Sequence, residues 1–171
     1  MRLQDASELA HLPRHGGIPI PYTAPIIDGR PHFRATDGHK HNLCLKFQLC
    51  GVCGRHIAAP PYVFAVAPLC LGERLVFGTP MHPGVCAEAA FRLCPFLSRE
   101  KWERQSEQGV VIYKREELPP KPARSGLGYV QSYATVRNPG SGLLYAELPA
   151  DVRVQWWHYV DGALQPEDAN D

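Results

Sequence analysis

The chain has 171 residues, of which 44% are hydrophobic and 20% charged, enough for one domain with a modest core or a small domain with an appended subdomain. Its 18 basic and 17 acidic residues are interspersed and give a formal net charge of +1, which argues against a general nucleic-acid binder. The sequence lacks a signal-peptide pattern and any run near the roughly 18 apolar residues of a membrane span. We therefore predict a cytoplasmic protein without a membrane partner, whose six cysteines stay reduced.

The N-terminal part is rich in proline. The whole chain has 17 prolines and 15 glycines, above their average usage of about 5% and 7%, which predicts short elements and little helix. Five of the prolines fall within residues 1–35, with isoleucine and aromatic residues between them, so this segment is predicted to be an extended arm laid across a core. A helix is expected to begin after Thr36 or Asp37, either of which can cap it, and to end near Leu49.

Residues 36–100 are predicted to form a zinc-binding unit. Beyond a tight Cys-Gly-Val-Cys-Gly turn, a hairpin is expected in which Tyr62–Ala67 pairs with Arg74–Phe77. A second short helix is expected over Val85–Leu93, and Pro95 ends it because proline cannot continue a helix.

Residues 101–171 are predicted to form a β-rich extension packed on that unit, because β-branched and aromatic residues are concentrated there. An Asn-Pro-Gly-Ser-Gly run at 138–142 is typical of a turn between two strands. A proline-containing loop is expected over Leu118–Gly126, and a frayed acidic tail after Gly162. The predicted strands are Val110–Lys114, Gly128–Arg137, Leu143–Leu148 and Val152–Val160.

The best candidate site is a metal centre formed by Cys50, Cys53, His82 and Cys86. Two residues separate the first two cysteines, and the glycine after each of them lets the backbone turn under a metal ion. Zinc prefers four thiolate or imidazole ligands in a tetrahedron. Cys86 falls in the first turn of a predicted helix, where the helix dipole favours thiolate. Knuckle, hairpin and ligands at a helix start are the order of a treble clef, so we predict an α+β fold with a small treble-clef-like zinc unit.

Other interpretations of these residues stay open. The Cys50 and Cys53 pair is also compatible with a redox dithiol or with small buried side chains. Three thiolates and one histidine would close the site, so that a bound zinc ion would stabilise the fold and would not activate water. Other side chains that could replace one member of the set are Cys44, Cys70, His56 and His41.

The sequence contains seven short motifs in its first hundred residues: Ile18-Pro-Ile-Pro-Tyr22, Ile27-Asp-Gly-Arg-Pro31, Phe33-Arg-Ala-Thr-Asp37, Leu49-Cys-Gly-Val-Cys-Gly54, Met81-His-Pro83, Cys86-Ala-Glu88 and Cys94-Pro-Phe-Leu97. Together they resemble a family of small uncharacterised proteins of high-GC Gram-positive bacteria and their phages, often labelled as cell-envelope-biogenesis proteins. The resemblance covers roughly residues 12–100 and implies a treble-clef-like zinc site but no function. The chain departs from the family in its histidine-rich Asp37–Asn42 stretch and in having three residues between His82 and Cys86, where two are more common.

Cys94, followed by proline at a predicted helix end, is the second candidate for chemistry. A cysteine in this position can present a thiolate to haem iron, which favours oxygen activation. In that case Trp156 and His158, which share one face of a predicted strand, would belong to the haem pocket. The simpler interpretation makes Cys94 a buried apolar residue beside a helix stop.

Two histidines, His39 and His41, lie two residues apart next to Asp37. On a strand or loop they could converge on a second metal ion. The alternative, which we favour, is that both are solvated loop histidines.

The sequence therefore supports two hypotheses of different classes. In the first, the protein is a zinc-stabilised cytoplasmic binding or accessory protein whose partner is an unknown protein or small molecule. In the second, it is a small oxidative enzyme that uses haem on Cys94 or a second metal. Phosphate-binding glycine loops, serine nucleophile elbows and metalloprotease histidine pairs are absent from the sequence.

Overall fold

A computed structural model describes residues 9–33, 35–94, 124–160 and 163–167. The described part has three short helices and a sheet-rich C-terminal portion, which agrees with the predicted α+β class. Its longest helix has ten residues, so no helix of the described part is long enough to cross a membrane. The predicted strand Val110–Lys114 and most of the predicted loop Leu118–Gly126 lie outside the described residues.

The N-terminal arm contains two short antiparallel hairpins. Strand β1 (Arg14–His15) pairs with β2 (Ile18–Pro19), and β3 (Ile26–Ile27) pairs with β4 (Arg30–Pro31). Leu9 is fully buried, so the start of the described arm belongs to the core.

The first helix, α1 (Gly38–Phe47), confirms the predicted element and its cap. The Asp37 side chain accepts hydrogen bonds from the backbone N–H groups of His39 and Lys40, which have no partner within the helix. The helix ends at Gln48, which adopts a left-handed conformation with φ 52°.

The main sheet has four antiparallel strands in the order β11, β10, β7, β5. The strands are β5 (Tyr62–Val66), β7 (Arg124–Val130), β10 (Arg153–Val160) and β11 (Ala163–Pro166). The predicted hairpin between Tyr62–Ala67 and Arg74–Phe77 is therefore wrong. Helix α2 (Pro68–Glu73) follows β5 directly, and β5 pairs with β7 instead.

Two segments of the C-terminal part that are predicted to be irregular form strands in the structure. Residues 124–126, expected in a loop, begin β7 and pair with β10. Gly126 has no Cβ, which leaves room for the side chains of Val154 and Trp156. Residues 163–166, expected to fray, form β11, which pairs with β10 from Trp157 to Val160. The Arg124–Glu167 ion pair, at 3.2 Å, lies next to the end of this strand.

A second sheet has three strands in the order β6, β9, β8: β6 (Leu75–Val76), β9 (Leu144–Glu147) and β8 (Ala134–Arg137). The predicted turn at 138–142 connects β8 to β9, with Gly142 donating its N–H to the Asn138 carbonyl at 2.8 Å. The predicted continuous strand Gly128–Arg137 is wrong, because its two ends belong to different sheets.

The main sheet separates two hydrophobic clusters. Along β5, Val63 faces the first cluster, whereas Phe64 and Val66 face the second, as the alternation of a strand requires. Helix α3 (Val85–Leu93), which matches the predicted element, packs on the first cluster and Leu45 of α1 packs in the second. The candidate cysteines Cys50, Cys53 and Cys86 all lie in the first cluster.

Candidate metal centre

The Cys50–Cys53 turn has the backbone of a metal-binding knuckle. Cys50 donates its N–H to the Arg55 carbonyl at 2.8 Å, and Gly54 donates its N–H to the Cys50 carbonyl at 2.8 Å. Gly54 has a φ of +74°, where an L side chain is strained. Glycine at 51 is required for a different reason, since a Cβ there would lie 1.8 Å from Oγ1 of Thr79.

The ligand atoms of Cys50, Cys53 and His82 lie within 4.8 Å of one another. Ligands about 2.0–2.3 Å from one tetrahedral zinc ion lie roughly 3.5–4 Å apart, so these three donors need only a small adjustment to share an ion. The cysteines are buried and the histidine is half-buried. The structure thus contains a Cys/Cys/His group that could hold a metal ion.

Backbone N–H groups point at the sulfurs of the knuckle. His82 donates its N–H to Cys50 Sγ at 3.4 Å, and the Cys53 N–H also bonds Cys50 Sγ. The Arg55 N–H bonds Cys53 Sγ in the same way. Hydrogen bonds to sulfur favour the thiolate form, which is the form that binds a metal ion.

Cys86 reaches the knuckle from the first turn of α3. Its thiol is hydrogen-bonded to the sulfurs of Cys50 and Cys53. Hydrogen bonds from the Cys53 and Cys86 thiols lower the pKa of Cys50, and the bonds to Cys50 raise the pKa of both donors. Cys86 is thus hydrogen-bonded to both cysteines of the Cys/Cys/His group, but it does not itself belong to that group of mutually close ligand atoms.

The arm and the loop before α3 fix the knuckle from two sides. Gly51 donates its N–H to the Pro80 carbonyl at 2.9 Å. On the arm side, Thr23 and Tyr22 donate their backbone N–H groups to the carbonyls of Gly51 and Val52 at 3.2 and 2.9 Å. His11 Nε2 lies 2.9 Å from the Cys53 carbonyl. The sequence did not indicate these contacts, because each joins segments far apart in the chain.

Of the side chains that could replace a metal ligand, Cys44, His56 and His41 do not belong to the Cys/Cys/His group. Cys44 is fully buried, but its thiol is not among the hydrogen-bonded sulfurs, and burial raises its pKa to about 12. His56 is exposed on the strand-like segment opposite Leu49. The Cys70 side chain falls outside the described part.

His41 has a structural role that the sequence did not reveal. It is 1% exposed on α1, its ring stacks on Phe77 with centroids 4.7 Å apart, and its Nε2 lies 2.8 Å from the Leu144 carbonyl. A carbonyl accepts only, so Nε2 carries the proton. Beside it, Asn42 Oδ1 accepts the Leu144 N–H at 2.8 Å. The side chains of His41 and Asn42 thus make the hydrogen bonds to Leu144 that a neighbouring strand would make. Strand β6 does not make them, because it pairs only with Ala146 and Glu147 of β9.

The prediction that His39 and His41 are both solvated loop residues is therefore wrong about the loop for both histidines, and wrong about exposure for His41. Both lie on α1, and only His39 is exposed. Two residues apart on a helix, they point in different directions and do not converge as they would on a strand.

Acid is expected to destabilise the fold through His41. Burial lowers the pKa of His41 below 6.5, so its contribution is fully present above pH 6.5 and is lost as the pH falls through the folded-state value. We expect the free energy of unfolding to drop between about pH 7.5 and 5.5 by less in His41→Gln than in the wild type. Urea titrations at both pH values measure this difference. Equal drops in the two proteins would show that His41 is not responsible.

The residues proposed for a haem site are split between the two faces of the main sheet. Cys94 is half-buried at the end of α3, on the side of the first cluster, where Phe91 packs on Trp157 with ring centroids 4.6 Å apart. Trp156 faces the second cluster, with the Arg124 guanidinium 4.4 Å from its ring centroid. His158, two residues along β10, is half-buried. Haem binding stays a prediction, which absorbance of protein expressed with haem would test.

Comparisons with protein-family models, with curated proteins and with solved structures give no match. The described residues themselves define an α+β protein with a Cys/Cys/His group able to hold a metal ion.

Proposed function

We propose that Cys50, Cys53, His82 and Cys86 together hold one structural zinc ion, and that the protein is a zinc-stabilised binding or accessory module. The observation that supports the proposal is the Cys50, Cys53 and His82 group, with backbone N–H groups directed at two of the sulfurs. Cys86 is proposed as the fourth ligand because its thiol is hydrogen-bonded to both of these sulfurs. When bound, zinc would supply four bonds that tie the knuckle, the loop before α3 and the start of α3 together.

The donor set favours zinc over other common ions. Thiolate and imidazole suit zinc, whereas calcium and magnesium take oxygen ligands. No carboxylate belongs to the described group of ligand atoms. With four protein ligands the coordination sphere is complete and has no position for a substrate or a reactive water. This chemistry supports a structural role for the ion, so we propose that the binding function uses other parts of the protein surface.

The identity of the fourth ligand is tested by two histidine variants. His82→Ala is expected to weaken zinc binding by about 100-fold or more, since it removes one of four first-sphere bonds. His56→Ala makes the same chemical change on an exposed residue of the knuckle and is expected to leave the affinity within about two-fold. Competition with a chromogenic chelator measures both affinities. If His56→Ala lost more zinc affinity than His82→Ala, the fourth ligand would be His56 and not His82.

A further inference from the structure

We propose that the exposed face of α1 and the adjoining knuckle bind single-stranded nucleic acid, which names the partner class of the proposed binding module and rests on that function. Between Asp37 and Glu73 the sequence contains no acidic residue, whereas Lys40, Lys46 and Arg55 all fall in this interval. The net charge of +1 conceals this segregation, because most of the acidic residues lie in the C-terminal half. The net charge of the whole chain therefore does not describe the charge of this surface.

The basic side chains of α1 share its solvent face. Residues seven apart lie on the same side of a helix, as Lys40 and Phe47 do, and likewise His39 and Lys46. Leu43 falls between these two pairs, so the five side chains form one stripe along the helix. The buried residues of the helix, His41, Cys44 and Leu45, lie on the opposite side. Lys46 and His39 are exposed, and Phe47 keeps 50% of its surface in contact with solvent.

The stripe continues onto the knuckle through Tyr22. The Lys40 Nζ lies 5.3 Å from the centroid of the Tyr22 ring. The Cδ2 atom of the same ring is 2.8 Å from the position that a Cβ on Gly54 would occupy. The exposed side chains of Arg55 and His56 follow directly in the chain. The surface thus runs from α1 across Tyr22 to the outer strand of the knuckle, so it requires a folded knuckle.

Aromatic rings distinguish nucleic acid from an acidic peptide as the partner. Phe47 is half exposed, with the Lys46 Nζ 5.2 Å from its centroid. A solvent-exposed ring beside cations is the combination that stacks a base while neutralising the neighbouring phosphates. An acidic peptide would form ion pairs with the cations and would not need the exposed ring. Bases of a duplex are already stacked, so the ring favours a single strand.

The experiment is a fluorescence-anisotropy titration of the full zinc-loaded chain into a labelled oligothymidylate of about 12 nucleotides. We expect binding that weakens with salt, with a slope of log affinity against log salt near −2, since three cations contribute about −0.7 each on a single strand. Phe47→Ala is expected to lower the affinity about five-fold or more. Lys46→Ala and Arg55→Ala are each expected to reduce the salt slope by about 0.7.

Arg92→Ala is the matched control, because it removes the same charge from an exposed arginine of α3, outside the stripe. Arg92→Ala is expected to change neither the affinity for oligothymidylate nor the slope of its salt dependence. Equal effects of Arg92→Ala and Lys46→Ala would overturn the proposal, as would equal affinity for oligothymidylate and polyglutamate. An oligouridylate in place of the DNA strand is expected to bind comparably, and a duplex of the same length more weakly.

Failure of this proposal and failure of the zinc proposal are distinguishable on the same preparations. A folded protein with one zinc ion that does not bind the oligonucleotide at low salt overturns only the nucleic-acid surface. A folded protein without zinc overturns the metal site, whatever it binds.

Discussion

Replacing Cys53 by serine is expected to leave the chain unfolded in physiological buffer. Cys53 lies in the Cys/Cys/His group and is 6% exposed within the first cluster. Zinc binding to structural sites of this kind is worth about 10–16 kcal/mol, whereas whole domains are stable by only about 5–15 kcal/mol. Loss of the ion therefore removes more free energy than the fold has in reserve. Far-ultraviolet circular dichroism and the zinc content of the variant measure both consequences.

Cys50→Ala and Cys44→Ala form a matched pair that separates loss of a ligand from loss of a buried thiol. Both cysteines are 0% exposed, and only Cys50 belongs to the group of candidate ligands. Cys44→Ala is expected to cost about 1–2 kcal/mol, the effect of a small cavity, with zinc retained. Cys50→Ala is expected to unfold the chain like Cys53→Ser. If the two alanine variants were equally stable, Cys50 would not be a structural ligand.

Phe64→Ala is expected to lower the free energy of unfolding by about 3–5 kcal/mol. Phe64 is 0% exposed in β5, and its ring packs edge-on against Tyr133 with centroids 5.1 Å apart. Removal of the ring leaves a cavity in the second cluster, between the main sheet and α1. Urea denaturation of the zinc-loaded protein measures the loss.

Phe47→Ala makes the same chemical change on a half-exposed ring of α1 and serves as the control. Its expected cost is within about 0.5 kcal/mol, because the side chain is not part of either buried cluster. A cost for Phe64→Ala as small as this would contradict the packing of β5 described above.

Features determined by neighbouring residues could be predicted from the sequence. Asp37 has the side chain of a good cap, and the helix begins directly after it. The helix Val85–Leu93 and the turn at 138–142 also depend on local signals. At the candidate metal centre, the Cys50 and Cys53 spacing indicated the knuckle for the same reason.

Features determined by distant segments could not be predicted in this way. The strand partner of β5 is β7, which lies beyond α3 in the chain, so the local hairpin pattern was misleading. Gly126 falls in the predicted proline-containing loop, yet it lies in β7, where a side-chain atom of Trp156 is 2.8 Å from the position of a Cβ. His41 resembled a loop histidine, because its partner, the Leu144 carbonyl, is 103 residues away.

The metal content of the purified protein decides whether the chain holds a structural zinc ion. Native mass spectrometry, checked by elemental analysis, counts the ions bound to each folded chain. We expect one zinc ion per chain, lost together with the fold when a strong chelator is added. A folded chain that carries no zinc, and whose stability the chelator does not change, would contradict the structural zinc site.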